Sequence, residues 1–522
     1  MVEEISIRVS PEVASDMTQL RHVISSHVGI ESDDINDIAI IRRSIDSRQR
    51  KITVNLTVRY ARGEDHTIIS SHSPYKFEHV SDDAPEVIIV GAGPAGLFAA
   101  LELIKHNIRP VVLERGKDVD ARRMDIAALN RTGIADPDSN YCFGEGGAGT
   151  FSDGKLHTRS KKKGDNDQIM RLLVDHGASP EILIDSHPHI GSNRLPGIIK
   201  SIRQTILKCG GIVKFNTRVN NLIIKDNIVK GVVTSTGEEI KGEAVILAIG
   251  HSARDTIRNI HAQGVDMETK GFALGVRLEH PSQLIDKIQY HNPHGRGKYL
   301  PAAEYNFVTQ SASRGVYSFC MCPGGVVVPA VSAPGESVVN GMSASARSGR
   351  WSNSGMVVEI RPDDFPEYDK YGVFKLLKVQ EDLEKRFYEA AGNTLRAPAQ
   401  RMTDFVNGKM STTLPSSSYV PGLKSARVDT LLPPFISDRL KDGFRQFDKK
   451  AKGFLNHDAT VIGLESRTSS PVRIPRDRET LRHLNISGLY PAGEGAGYAG
   501  GIISAAVDGT RCASAIATNL NK

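Results

Sequence analysis

The stretch EVIIVGAGPAGLFAALELIKHNIRPVVLERG, residues 86–116, limits the fold more than any other part of the chain. A β-rich apolar run ends in Gly91, Gly93 and Gly96, a helical pattern follows, and a second apolar run ends in Glu114. Two short buried strands joined by a helix form a parallel unit, whose sheet needs cover on both faces. The glycines satisfy G-x-G-x-x-G. Gly91 allows the tight turn, Gly93 lets the backbone approach a pyrophosphate, and Gly96 lets helix and strand pack closely. At the helix start, around Pro94 and Ala95, free N–H groups and a partial positive charge favour phosphate. Glu114 lies a little over twenty residues on, where a carboxylate can accept hydrogen bonds from a ribose diol. An acid there disfavours a 2′-phosphate, hence NADP, in this socket. A purely structural glycine turn is the plain alternative, and position alone does not separate one dinucleotide from another.

At 522 residues the chain exceeds what one hydrophobic core supports, so two or three units are expected. The net charge of +6 is small and scattered; it permits an anionic ligand without arguing for nucleic acid. The opening MVEEISIRVS lacks the basic-then-apolar plan of a secretory signal. The longest apolar stretch, Val87 to Ile104, is broken by glycines, Pro94 and Glu102, which suits a buried strand and helix rather than a membrane span. Five cysteines, an odd number, point to a reducing compartment rather than a disulfide framework. A cytoplasmic location without membrane association is the expectation.

Residues 1–85 read as a small α+β unit and a linker. EISIRVS is a strand, Pro11 to about His27 is helical, and two further strands flank a polar turn. In the last, Ile52, Val54, Leu56, Val58 and Tyr60 alternate with Lys51, Thr53, Asn55, Thr57 and Arg59, so one face is buried. A ferredoxin-like β-α-β-β unit is expected. Arg42, Arg43, Arg48, Arg50 and Lys51 gather on its hairpin, either as a solvated edge or as a docking patch for RNA or protein. Residues 86–269 follow an α/β pattern that returns in 466–522, with GLYPAGEGAGYAGGIIS reading as strand, glycine loop and helix. Between 270 and 465 that rhythm gives way to an inserted mixed α/β unit. The fold class is therefore α/β, with a central parallel sheet split in sequence.

This distribution resembles the Rossmann-like FAD-binding domain of the glutathione-reductase-like flavoproteins. The resemblance implies that Gly91, Gly93, Gly96 and Glu114 bind ADP, with Arg115, Arg122 or Arg123 at the phosphates. It places Val219 against adenine, Ala248, Ile249 and Gly250 at a middle-strand turn, and Gly493 and Glu494 where a Gly-Asp pair is usual. Gly500, Gly501, Ile502 and Ile503 open a helix toward the flavin. NYCFGEGGAGTFSDGKLHTR, residues 140–159, is rich in glycine, and Gly146, Gly147, Gly149 and Thr150 can wrap a pyrophosphate or the ring. With GFALGVRLEHPSQLID, YSFCMCPGGVVVPA, VNGMSASARSG and ESRTSSPVRIPRD, the chain resembles a family of bacterial FAD-dependent dehydrogenases, NAD(P)/FAD-dependent oxidoreductases, over nearly its whole length. That resemblance implies fold and cofactor and leaves the substrate open.

Candidates for chemistry are fewer. Cys320 and Cys322 form C-x-C; a thiol near flavin can relay electrons or attack a substrate, while the plain reading places the two on opposite strand faces, one packed and one exposed. Arg277 and Glu279 share a strand face and can orient an acidic substrate or form a structural ion pair. Lys155, His157 and His251 can deliver a proton. No ligand spacing supports a metal. The leading reading is an FAD-dependent oxidoreductase acting on a small molecule, with NAD(P)H, if used, bound transiently over the flavin. An FAD-dependent RNA-modifying enzyme using the basic hairpin and Lys161 to Lys163, and a non-catalytic flavin-binding sensor, are the alternatives. A protein partner or second copy of the chain would engage the N-terminal unit.

Overall fold

The computed structural model describes residues 2–62, 73–157 and 166–520, so Lys161 to Lys163 fall outside the described residues. Five parallel strands form its central sheet, in the spatial order Leu489–Pro491, Ala244–Leu247, Glu86–Val90, Arg109–Leu113 and Ile212–Lys214. Alternate residues of the middle strand enter different cores. Val87 and Ile89 pack beneath helices Pro94–Lys105 and Ile502–Leu520, while Ile88 and Val90 meet Val219, Leu222, Val229 and Val232. Burial on both faces is why EVIIV reads as one unbroken apolar run. The second face is covered by an antiparallel three-stranded sheet, Val219–Lys225, Ile228–Thr234 and Glu239–Lys241.

Helices Pro94–Lys105 and Ile502–Leu520 cross closely because of glycine. A Cβ at Gly509 would stand 2.0 Å from the Ala95 carbonyl oxygen, and one at Gly96 would stand 1.9 Å from that of Gly91. The two ends of the nucleotide-binding unit are thereby sealed together.

Between them lies a seven-stranded mixed sheet, in the order Val308–Ser311, Arg314–Cys322, Trp351–Ile360, Phe272–Pro281, Thr460–Glu465, Ala397–Arg401 and Leu423–Ser425. Helices Lys375–Ala390 and Pro434–Lys450 cover it through Leu376, Leu383, Phe387, Phe444 and Phe447. The N-terminal sheet is antiparallel, with Thr53–Arg62 between Val2–Val9 and Ile35–Asp46. Its Val54, Leu56, Val58 and Tyr60 are buried with Leu20 and Ile24 of helix Met17–Val28, as the alternation requires.

Buried charge joins the units. Arg254 donates to both carboxylate oxygens of Glu384 at 2.8 Å, and Arg467 donates to Glu384 at 2.9 Å and Glu336 at 2.7 Å. The basic hairpin is partly committed to its own chain. Arg43 pairs with Asp185 at 2.7 Å, its backbone bonds Ile184 and Ser186, and Arg48 pairs with Asp46.

Two glycine substitutions test this packing. Gly509→Ala forces a methyl onto the Ala95 carbonyl and should lower stability by about 1–3 kcal/mol. Gly197 is exposed on helix Leu195–Lys208 with open space for a Cβ, so Gly197→Ala should raise stability by about 0.5–1 kcal/mol. Urea unfolding of both variants gives the two opposite signs.

Candidate functional site

One cleft runs along the carboxyl ends of the parallel strands, where open α/β sheets bind ligands. Its cavity volume is about 380 Å³. Gly91, Gly93, Pro94, Ala95, Glu114, Arg115, Gly147, Gly149, Val219, Ala248, Gly250, Gly493, Glu494, Gly501 and Ile502 all line it. So do Lys155, His157, His251 and Cys320, the last carried in by the inserted unit with Phe319.

Glu114 organises the first end. Its carboxylate accepts the N–H of Ala92 at 2.9 Å, Gly116 at 2.9 Å and Gly144 at 3.0 Å, which ties the glycine turn to the strand end and the following loop. Gly91, at φ +106°, takes a conformation that disfavours other residues, and a Cβ there would lie 2.4 Å from the Ala248 oxygen. Arg122 completes the loop from inside. Its buried guanidinium donates to the carbonyls of Asn140, Tyr141, Gly144, Glu145 and Gly147. Consecutive helical residues point about 100° apart, so Arg123 faces solvent and does not line the cleft. Its expected phosphate contact has no place here. Arg115 stays at the cleft, held by Asp138 and Asp255 and lying 4.1 Å over the Phe143 ring.

At the other end, Asp508 of the last helix accepts the Gly493 N–H at 2.8 Å and pairs with Arg476. His251 Nδ1 lies 3.0 Å from Glu494 Oε1, joining two turns that are distant in sequence. Four other expected cofactor residues turn inward instead of into the cleft. Gly96 is filled by helix-strand packing, Gly146 faces Thr150, the Thr150 hydroxyl donates to the Glu145 carbonyl, and Ile503 sits in the core.

The inserted unit revises two expectations. Arg277 and Glu279 do not pair with each other as a cleft-lining ion pair. Both are buried away from the cleft; Arg277 meets Glu465 at 3.3 Å, and Glu279 accepts from Ser418. A regular strand would put Cys320 and Cys322, two residues apart, on one face; the register shift between Phe319 and Cys322 separates them, so that Cys320 reaches the cleft. Cys322 is fully buried behind the cleft wall.

The sequence reading missed Asp153, Arg218, Ser252 and Phe319, which also line the cleft. Asp153 is buried against Arg347 and accepts from Ser343, both in VNGMSASARSG, and lies 3.9 Å from Lys155. Arg347 continues to Glu304, which His187 Nδ1 approaches at 3.4 Å, and the His187 ring lies 5.2 Å from His157. Burial alone would raise the Glu304 pKa. The hydrogen bond from His187 and the charges of Arg347 and Lys155 outweigh it and hold the carboxyl at about 2.

Residues 271–468 match a family described as FAD-dependent protein, C-terminal domain-like; residues 84–126 match an FAD binding domain, and residues 1–61 a domain of unknown function. The chain is 40% identical to an uncharacterized protein of Clostridium beijerinckii, with 96% of each chain covered. Among solved structures it is similar to the flavin-dependent brominase Bmp2, at 14% identity and TM-score 0.36, over 84% of this chain and 80% of that one. It is also similar to CtdE in complex with FAD, at 10% identity and TM-score 0.32, over 84% of each chain. Scores this low bear on neither fold nor reaction.

The cleft residues fit FAD on the structure's own terms. Added Cβ atoms at Gly250 and Gly500 would meet nothing within 4 Å, so bare backbone faces open space. Helix Pro94–Lys105 begins at Gly93 with no side-chain cap, which leaves N–H donors for phosphate.

Two variants probe this architecture. Glu114→Gln replaces an acceptor oxygen by an NH₂ that faces a backbone donor, so stability in urea should fall by about 1–3 kcal/mol. Glu304 is depressed in the folded state, so its stabilisation is present above its ordinary pKa of 4.5 and lost as pH falls through about 2. The Tm gap between wild type and Glu304→Gln should therefore narrow as pH drops from 4.5 toward 2.

Proposed function

The chain belongs to the family of FAD-dependent proteins that includes the Clostridium beijerinckii relative, and on that premise we propose that it is an FAD-dependent oxidoreductase. It moves a hydride or electron pair between a small organic molecule and an acceptor. One observation carries the reading: glycine turns from both halves of the split nucleotide unit share a cleft with Lys155, His157, the His251–Glu494 pair and Cys320.

Bound FAD supplies two-electron chemistry; the chain supplies everything else. The uncapped start of helix Pro94–Lys105 offers N–H groups to phosphates. The start of helix Ile502–Leu520 borders the cleft, and its positive end stabilises negative charge there. Lys155 can orient an anionic substrate group or hold a proton. Glu494 lies beside the His251 ring, where His251 can give or take a proton in the cleft. A second glycine-rich nucleotide socket is missing from the sequence, so NAD(P)H as donor would use this same cleft transiently. The engagement of Arg43 by Asp185 and of Arg48 by Asp46 weakens the RNA-modifying reading and favours a small-molecule substrate.

The purified protein should show flavin absorbance, and NADH or NADPH added without oxygen should bleach it. Lys155→Met should keep the flavin and slow the bleaching at least about tenfold, the order expected for loss of one positioned proton donor or charge. A colourless protein that takes up no added FAD would overturn the proposal.

A further inference from the structure

The strand Arg314–Cys322 breaks register between Phe319 and Cys322, and Cys320 takes φ +44° there. A side chain bearing a Cβ adopts this left-handed conformation at a cost, and such strain gathers at functional positions. Bulges re-aim side chains. Here the break brings Cys320 to the cleft and leaves Cys322 buried behind it, its Sγ 3.4 Å from the Cys320 carbonyl oxygen. Arg277 anchors the distortion: Nη2 donates to the Cys320 oxygen at 2.7 Å and to Cys322 Sγ at 3.3 Å, while Nη1 reaches Glu465 at 3.3 Å.

One buried guanidinium thus touches the Glu465 carboxyl, the Cys322 sulfur and the backbone carbonyl of Cys320. A buried cation needs a compensating anion, and several anions packed together repel. Lys155 adds positive charge near Cys320, while Asp153, the other charged neighbour, is bound by Arg347. Burial pushes the Glu465 carboxyl up to about 7, against the attraction of Arg277. The hydrogen bond from Cys322, then Lys155 and Arg277, lowers the Cys320 thiol against its burial, and the same bond raises Cys322.

We propose that Cys320 is a reactive thiolate presented to the cleft, that Cys322 is the neutral thiol packed behind it, and that the ligand is a small molecule with an electrophilic carbonyl or activated double bond. The sulfur electron pair forms the S–C bond, the π pair moves to oxygen or the distal carbon, and that atom takes a proton, for which the cleft provides Lys155. This deepens the oxidoreductase reading and rests on the cleft being its substrate site.

Iodoacetamide is a direct probe, since sulfur displaces iodide whether or not flavin is bound. The full-length protein is alkylated across a pH series, the sites are mapped by mass spectrometry, and the visible flavin spectrum of the same sample is recorded. Cys320 should react first, with its rate inflecting roughly one pH unit or more below the ~8.5 of an ordinary thiol. Peptide mapping separates it from Cys142, which also lines the cleft. Cys322→Ala should move the inflection upward, and Cys320→Ser should abolish the fast label while flavin absorbance persists. Failure of Cys320 to react, or an ordinary inflection, overturns the thiolate; an unchanged profile in Cys322→Ala overturns the part given to Cys322. Should a variant not fold, the wild-type profile decides. Fast low-pH labelling in protein that binds no FAD would sustain the thiolate and sink the cofactor reading.

Discussion

The carboxylate of Glu114 is the point on which the nucleotide end of the molecule depends. Three peptide N–H groups, from Ala92, Gly116 and Gly144, converge on it inside the protein. Each would be costly to bury without a partner, and an ionised acceptor binds them more strongly than a neutral one. Arg122 answers from the opposite direction, a buried cation holding five carbonyls of the following loop. Donors point at the acid and acceptors at the base. The glycine loop thus has a fixed course, held by these polar contacts together with its buried Tyr141 and Phe143.

Local patterns in the chain were legible where physics is local. Unbroken apolar runs announced strands buried on both faces, alternation marked Val54 to Tyr60, and the glycine spacing located most of the cleft wall. What stayed hidden depends on long-range pairing. Nothing near Arg277 reveals Glu465 as its partner, because that contact is made by two strands far apart in the chain. Neighbouring arginines 122 and 123 look alike as letters, yet one residue's step of helical angle puts the first inside and the second in water. The bulge at Cys320 breaks the very alternation on which a strand reading relies. Asp153 was overlooked because it is a small polar residue in a glycine-rich stretch; only its ion pair with Arg347 gives it meaning.

The units meet through charge as well as through apolar surface. Glu384 takes two arginines, Arg254 from the nucleotide unit and Arg467 from the segment that returns to it. Removing any one member strands a buried charge, so the arrangement is far harder to break than a surface ion pair would be. On the opposite flank the N-terminal sheet lends its edge strand to Ile184 and Ser186, just before His187 and His189. Asp153, Arg347, Glu304 and His187 carry polar contact from the cleft to that flank. The nucleotide and inserted units therefore share that connected set of ionisable groups.

The parallel sheet places Leu489–Pro491 beside Ala244–Leu247, with the whole inserted unit between them in the chain. During synthesis the ribosome delivers the first glycine turn long before it delivers Gly493, Gly501 and helix Ile502–Leu520. A nascent chain therefore holds half a binding surface, with the apolar side of helix Pro94–Lys105 still waiting for its partner. The fifth strand of the sheet and the helix that seals it therefore cannot be added until that late segment has been made.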